Sequence, residues 1–397
     1  MKSVFSVKDK CCGCRTCEQL CPTHAIEMSE DTNGFLYPQI QTELCVDCGL
    51  CVNSCAFGKS IKTEMDPLVF AARLEDVDER MRSQSGGAFW ALARQIISSK
   101  GVIYGAGMAN DLTVRHMRAE TIEELEPLRQ SKYVQSDTND TFSQAKNDLE
   151  HGRKVLFSGT PCQVAGLNAY LEHYKTDRAG CLTVDLICFG IPSPKLYQDY
   201  VAFLSQKYLN VSCFVFRDKT YQGWHTSVEK IVFSDGKYMK AYHSNDYLNL
   251  FYSRLALRPT CTNCLYAQAN RCSDITLGDY WGIEEAHPDF WDETGVSVVM
   301  LNTHKGHRLF QEIEELAIME SSFSLASKEQ PGLRGGFPPQ PAYDAFWKLY
   351  HEEGFAAATR KYCRNTPIKK GWVVIKKILK KILPPMVVHK IKEIMKR

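Results

Sequence analysis

No stretch of the 397-residue chain approaches eighteen consecutive apolar residues, so the sequence offers no obvious membrane-spanning helix. It has no surplus of either charge: 48 Lys and Arg face 46 Asp and Glu, a formal net charge of +2. That near balance gives no electrostatic ground for a nucleic-acid partner. No apolar signal segment opens the chain, and its length is far beyond that of secreted disulfide scaffolds. A reducing cytoplasm is therefore the expected location, and the 17 cysteines need a use other than disulfides. The chain also lacks the third glycine that would make Gly105-Ala106-Gly107 a dinucleotide fingerprint. Strand-like text resumes at Val114, which excludes a Rossmann site there. It lacks internal repeats with one exception, a four-cysteine run that occurs twice.

That run is Cys11-x2-Cys14-x2-Cys17-x3-Cys21, followed by Pro22, and again Cys45-x2-Cys48-x2-Cys51-x3-Cys55. Each has the spacing that wraps a 4Fe-4S cluster, and a bacterial-type ferredoxin uses such a pair in exchanged fashion. The first three cysteines of a run surround one cluster while the fourth begins a helix and reaches the other. Cys11, Cys14, Cys17 and Cys55 would then hold one cluster, and Cys45, Cys48, Cys51 and Cys21 the second. Zinc also accepts C-x2-C pairs, but it needs four ligands per site and does not explain two runs of identical spacing. Ala56 stands where the second run would repeat Pro22, a change in the exit turn that removes no ligand. Cys12 is an additional thiol inside the first loop, a bystander by spacing unless the local register moves onto it.

At 397 residues and 44% hydrophobic the chain has material for two or three domains. Residues 1–62 form the expected two-cluster module, with two short strands between its cysteine runs, and Met65-Asp66-Pro67 reads as a linker. Residues 66–150 and 151–320 alternate helical and strand text, an α/β arrangement with a mixed sheet expected. Val155 to Ser158 and Leu182 to Ile187 read as buried strands. Thr121 and Glu124 form a capping box, and Ser297 to Leu301 reads as the closing strand. Residues 321–397 read as a helical extension. The expected fold class is thus an α+β ferredoxin-like N-terminal module, a larger α/β mixed-sheet domain and a helical C-terminal tail.

Further thiols fall at positions suited to a site. Cys162 follows a buried strand at the start of a helix, where backbone amides and the helix dipole favour thiolate. Cys188 ends the next buried strand, and the carboxyl ends of strands are where α/β sheets collect their sites. With Cys261-x2-Cys264 these make a candidate third 4Fe-4S site, for which zinc is the competing occupant and Cys272 the competing fourth ligand. Cys181, Cys213 and Cys363 are expected to pack as small buried hydrophobes.

Together with the cysteine module, Ser85-Gly86-Gly87, Ser131 to Ser136, Ser158-Gly159-Thr160-Pro161-Cys162-Gln163, Asp185 to Gly190, Arg258 to Cys264 and Asp274 to Gly282 resemble the coenzyme F420 hydrogenase/dehydrogenase beta-subunit family. The likeness runs from residue 1 to about residue 310. It implies an iron–sulfur flavoprotein oxidoreductase, with FAD held by the α/β part beside a 4Fe-4S cluster. The family passes electrons to or from a deazaflavin, a ferredoxin or a partner subunit, though the simplest beta subunits lack the dicluster module. Residues expected at the flavin are Ser85, Gly86, Gly87, Lys132, Gly159, Thr160, Gly278 and Asp279. The glycines would admit backbone amides to the pyrophosphate, and Lys132 would add a charge there or beside reduced flavin. Trp224-His225 is placed to face the ring system, and no catalytic residue is assigned. Two other classes fit the residues less fully: a flavin-free electron-carrier subunit serving another enzyme, and a cluster protein acting in surface-polysaccharide metabolism.

Residues 369–397 carry ten Lys or Arg against the single Glu393. Trp372, Ile375, Leu379, Ile382, Leu383 and Met386 recur at helical spacing until Pro384-Pro385 interrupts. Such a basic amphipathic segment suits peripheral contact with the inner face of a membrane or docking to a partner.

Overall fold

The computed structural model describes residues 10–58, 61, 63–220, 223–225, 228–240 and 246–363. The basic tail, and with it the expected membrane or partner segment, lies outside the described residues.

In the N-terminal module, strands β1 (Ile26–Glu30) and β2 (Leu36–Ile40) pair antiparallel, with Met28 opposite Pro38. A one-turn helix carries the third cysteine of each run, Thr16–Gln19 with Cys17 in the first and Leu50–Asn53 with Cys51 in the second. Both start from a left-handed residue, Arg15 (φ 61°) and Gly49 (φ 70°). Glycine takes that conformation freely, whereas an arginine is strained by about 1 kcal/mol. Arg15 offsets the strain by donating to both carboxylate oxygens of Asp137 and to Glu18. This contact also ties the module to the larger domain.

The larger domain is built on one eight-stranded mixed sheet. Its strands are β3 (Leu68–Leu74), β4 (Val102–Met108), β5 (Val114–Ala119), β6 (Val155–Gly159), β7 (Cys181–Leu186), and three others from later in the chain. Between these groups, β8 (Val211–Val215), β9 (Lys230–Phe233) and β10 (Tyr238–Lys240) make a separate antiparallel meander. The large sheet is completed by β11 (Ile275–Asp279), β12 (Ser297–Leu301) and β13 (Leu316–Ser321) in the order β13-β3-β12-β11-β7-β6-β4-β5. The strands β11, β7, β6 and β4 run parallel and form its centre; the rest pair antiparallel at the flanks. Every residue of β6 and of β12 is buried, as expected where a sheet is covered on both faces. Ala88–Ser98 covers one face over Ile103, Leu156 and Val184, while Thr141–Glu150 and Pro161–His173 cover the other over Val102, Tyr104 and Phe157. Strands from residues 66–150 and from 151–320 thus share one sheet.

Two expectations need correction. The strand Ser297–Leu301 does not close the sheet but lies between β3 and β11, and the edge is taken by β13, a strand beyond the one expected to be last. That edge strand exposes alternate side chains, Ile318 at 50%, so its apolar content reads weakly beside the helix His304–Gln311. Cys213 is exposed rather than packed, because a register shift between Val211 and Cys213 carries it off the inner face of β8. Cys181 and Cys363 are buried.

The helices Pro194–Lys207, Tyr343–Glu353 and Phe355–Tyr362 pack with the meander around Tyr197, Tyr200, Phe214, Tyr247 and Trp347. Phe35 and Tyr37 of the module insert into this cluster. Each such ring contributes about 2 kcal/mol by burial, so the module is packed on the domain rather than tethered to it. Among the described residues no helix is long and apolar enough to cross a membrane.

Candidate cluster and cofactor site

The first cysteine run is sealed by side chains from far along the chain. Arg258, itself fully buried, donates to the carbonyls of Cys11 (2.7 Å) and Leu36 (2.7 Å) and to Gln135 Oε1 (3.0 Å). Thr260 donates to the Cys11 carbonyl and Gln135 to that of Cys12. Burial pushes the Cys17 thiol up, and the neighbouring Cys14, Cys11 and Cys55 add to it. The Cys55 thiol is likewise raised to about 11 by burial, then by Cys14 and Cys11. Cys51 of the second run acts on both Cys17 and Cys55 in the same direction. In the second run, Cys51 is raised by burial and by Cys48 and Cys45, and Cys48 is exposed. The Cys21 sulfur accepts from the amide of Ala25 at 3.2 Å.

A third set of thiols meets in a small pocket lined by Cys162, Cys188, Cys261 and Cys264, with Cys12 on its wall. Cys162 comes from the first turn after β6 and Cys188 from just beyond β7, so the parallel strands deliver both to one end of the sheet. Burial raises the Cys188 and Cys264 thiols and lifts Cys261 to about 12, and the thiols raise one another. Such a group cannot ionise together unless a cation supplies the compensating charge. Among the described residues no three His, Cys, Asp or Glu side chains converge as a single ion requires. The donor set here is sulfur alone, which suits a 4Fe-4S cluster and zinc alike.

Cys272 lies aside, giving its S–H to the Pro161 carbonyl at 3.3 Å and taking no part in the pocket wall. Cys12 is closer to the chemistry than its spacing suggests. Its single thiol proton is shared between the sulfurs of Cys14 and Cys162, which raises Cys12 and lowers the other two.

Against the same wall opens a cavity of about 970 Å³. Cys188, Phe189, Gly190 and Ile191 line both spaces. Of the eight residues expected at a flavin, Ser85, Gly87, Lys132, Gly159, Thr160, Gly278 and Asp279 line the cavity. Gly86 is not part of that lining. It bridges the sheet, donating to Ser297 Oγ and accepting from the Leu74 amide, and a Cβ there would collide with the Ala72 carbonyl. Gly87 holds φ 84° at the start of the helix Ala88–Ser98, a conformation suited to glycine.

The remaining expected residues are held from behind. Ser85 Oγ donates to the Val296 carbonyl at 2.8 Å, and Lys219 Nζ donates to the carbonyls of Ser85, Arg80 and Thr294. Lys132 Nζ donates to the carbonyls of Arg129 and Gln130, and burial lowers its pKa to about 7. Gln163 Oε1 accepts from the Thr160 amide and hydroxyl while its Nε2 donates to Ser136 O. His116, buried and lowered to about 4 by desolvation, bridges Ser136 Oγ (2.7 Å) and the Ser158 carbonyl (3.1 Å) behind the same loop.

Asp279 Oδ2 pairs with Arg217 at 2.6 Å, leaving Oδ1 buried without a hydrogen bond. Gln84 Oε1 and Arg217 Nε are buried and unpaired as well, and all three residues line the cavity. Unmet polar atoms on one wall are costly unless a polar ligand meets them. Trp224 is buried and stacks on Trp281 at 4.9 Å and 9°; Trp281 and His225 reach the cavity wall. Sequence reasoning missed Gln84, Arg217, Gln163 and His116. Arg217-Asp218-Lys219 directly after strand text carried the only local signal, a charged run where a core turn was due.

Residues 152–322 match the family model that describes the C terminus of the coenzyme F420 hydrogenase/dehydrogenase beta subunit, and residues 10–59 match that of a 4Fe-4S dicluster domain. A search of curated proteins finds no match. Among solved structures, a chain described as "Xenon derivatization of the F420-reducing [NiFe] hydrogenase complex from Methanosarcina barkeri" aligns at 18% identity, over 76% of this chain and 94% of that one. The TM-score of that alignment is 0.46. The two matches agree with the motifs: residues 152–322 are similar to the C-terminal part of the coenzyme F420 hydrogenase/dehydrogenase beta subunit, and a match to a 4Fe-4S dicluster domain precedes that part.

Proposed function

We propose that the protein is an iron–sulfur flavoprotein oxidoreductase that moves electrons between a flavin in the 970 Å³ cavity and a relay of three 4Fe-4S clusters. The observation that carries this reading is the common wall: Cys188 to Ile191 face the cavity on one side and the sulfur-lined pocket on the other. A flavin exchanges electrons in pairs or singly and a cluster only singly, so the two side by side convert one kind of transfer into the other.

Cys11, Cys14, Cys17 and Cys55 would hold one cluster, Cys45, Cys48, Cys51 and Cys21 the second, and Cys162, Cys188, Cys261 and Cys264 the third. Cys12 spans from the first to the third, since it bonds both Cys14 and Cys162. The residues lining the cavity bind and orient the flavin. Backbone groups at Gly87, Gly159 and Gly278 allow close approach, Lys132 offers a cation to the anionic part, and Asp279 Oδ1 and Gln84 Oε1 offer acceptors to ring N–H groups. The two-electron partner reached from the cavity is a deazaflavin or another soluble carrier, and the one-electron partner a ferredoxin or partner subunit.

Anaerobic purification tests the reading. We expect bound flavin, released as FAD, and about twelve irons per chain. Cys188→Ser should lower iron by about four and slow electron transfer from flavin to clusters while flavin stays bound. Eight irons without flavin would favour a plain carrier subunit. A colourless or zinc-only preparation would overturn the proposal.

A further inference from the structure

We propose that the surface around Cys48 docks a one-electron protein whose redox centre is ringed by Lys and Arg. The assignment rests on the reading that the second cysteine run holds a cluster, and adds to it the chemistry of the partner.

Three observations converge on this face. Cys48 is exposed, while the thiols of the first run and of the third site are all of intermediate exposure. Leu44 (47% exposed), Val46 (64%) and Val52 (40%) stand around it as uncovered apolar side chains. The charge of the whole segment has one sign: from residue 16 to residue 58 there are six carboxylates and no Lys or Arg. Glu43 and Asp47, on either side of Cys45, are exposed, and Glu27 meets the same loop through Gln41. On the N-terminal flank Arg15 is spent in ion pairs with Glu18 and Asp137, while Lys59 and Lys62 follow the segment.

Small apolar centres with a rim of one sign fit a brief encounter rather than a permanent subunit. The rim steers a partner of opposite sign, and the apolar centre lets the two redox groups approach without a layer of held water. An acidic carrier would be repelled.

Cytochrome c, a basic haem protein, serves as the probe. Clusters of the full-length holoprotein are reduced anaerobically, and one electron per haem passes to ferric cytochrome c. We expect the second-order rate to fall about tenfold or more between low and high salt. Glu43→Lys combined with Asp47→Lys should slow the low-salt rate about tenfold, with the gap closing at high salt. Iron content is measured on each protein first. If Cys48→Ser leaves iron at the wild-type value, the cluster reading of the second run and the docking assignment fall together. Full iron with a rate indifferent to salt, or unchanged in the double variant, overturns the docking assignment alone. If deleting residues 368–397 speeds the reaction more than about fivefold, the chain's own basic tail covers this face, and the partner assignment falls.

Discussion

Between Cys11 and Cys17 the backbone turns left-handed at Gly13 and Arg15; between Cys45 and Cys51 it does so at Asp47 and Gly49, the same two offsets. One run spends its glycine on the first turn and the other on the second, so both wrap along one path. Their surroundings are opposite. The first run receives Arg258, Thr260, Gln135 and Asp137 from the large domain, whereas Val46, Asp47 and Cys48 of the second are exposed. Ligand spacing, then, sets the cage, and residues hundreds of positions away decide whether that cage is an interior relay or an exterior contact.

The largest test of this contrast is Arg258→Ala. It removes donors from the Cys11 and Leu36 carbonyls and from Gln135, all in buried surroundings. We expect a loss of about 3–5 kcal/mol in anaerobic urea unfolding. Val46→Ser on the exposed run should stay within about 0.5 kcal/mol. If the two variants cost the same, the first run is not held by the domain.

Acid sensitivity should also belong to the buried side. His116 is neutral in the fold, its pKa lowered from 6.5 to about 4 by desolvation. The unfolded chain therefore binds the proton first. The group's full contribution is present above pH 6.5 and is lost as pH falls toward 4, about 3 kcal/mol in all. His116→Gln should flatten that part of a stability–pH curve. An unchanged acid limb would show that the Ser136–His116–Ser158 bridge is not what acid breaks.

Iron release resolves the contrast in time. Chelator added to oxidised holoprotein should strip the second run first, because Cys48 needs no opening of the fold, and the rest about tenfold more slowly. Two well-separated phases, the faster accounting for about four irons, sharpen the comparison. A single phase would break it.

Much of the chemistry was legible because it is local. The eight cysteines proposed as ligands in the two runs are picked out by spacing alone, and Cys162 and Cys188 by strand ends, where parallel strands aim their following residues at one edge. Cys12 was not legible as a bridge, since its neighbour Cys162 is 150 positions away. Gly86 and Gly87 looked alike in sequence but divide between packing and cavity, because only the pairing of β3 with β12 brings the Ala72 carbonyl against Gly86. The edge strand β13 escaped for the same reason: its partner β3 lies some 240 residues earlier.

The smallest expected effect separates two lysines that local sequence does not distinguish. Burial lowers both Lys132 and Lys219 to about 7. Lys219 gives its three donors to the carbonyls of Arg80, Ser85 and Thr294 and lies behind the cavity, whereas Lys132 has two carbonyl partners and lines it. Of these two lysines, only Lys132 can lend its charge to an anionic ligand there. Below pH 7 it is protonated and assists; as pH rises through 7 the free protein loses that charge, and binding must restore the proton. Flavin affinity of the apoprotein, followed by fluorescence quenching, should therefore weaken about threefold to fivefold from pH 6 to pH 9. Lys132→Met should bind weakly and evenly across that range, and Lys219→Met should keep the wild-type slope. Were the slope to follow Lys219 instead, the cation felt by the ligand would act through the Ser85 carbonyl and the left-handed turn it holds.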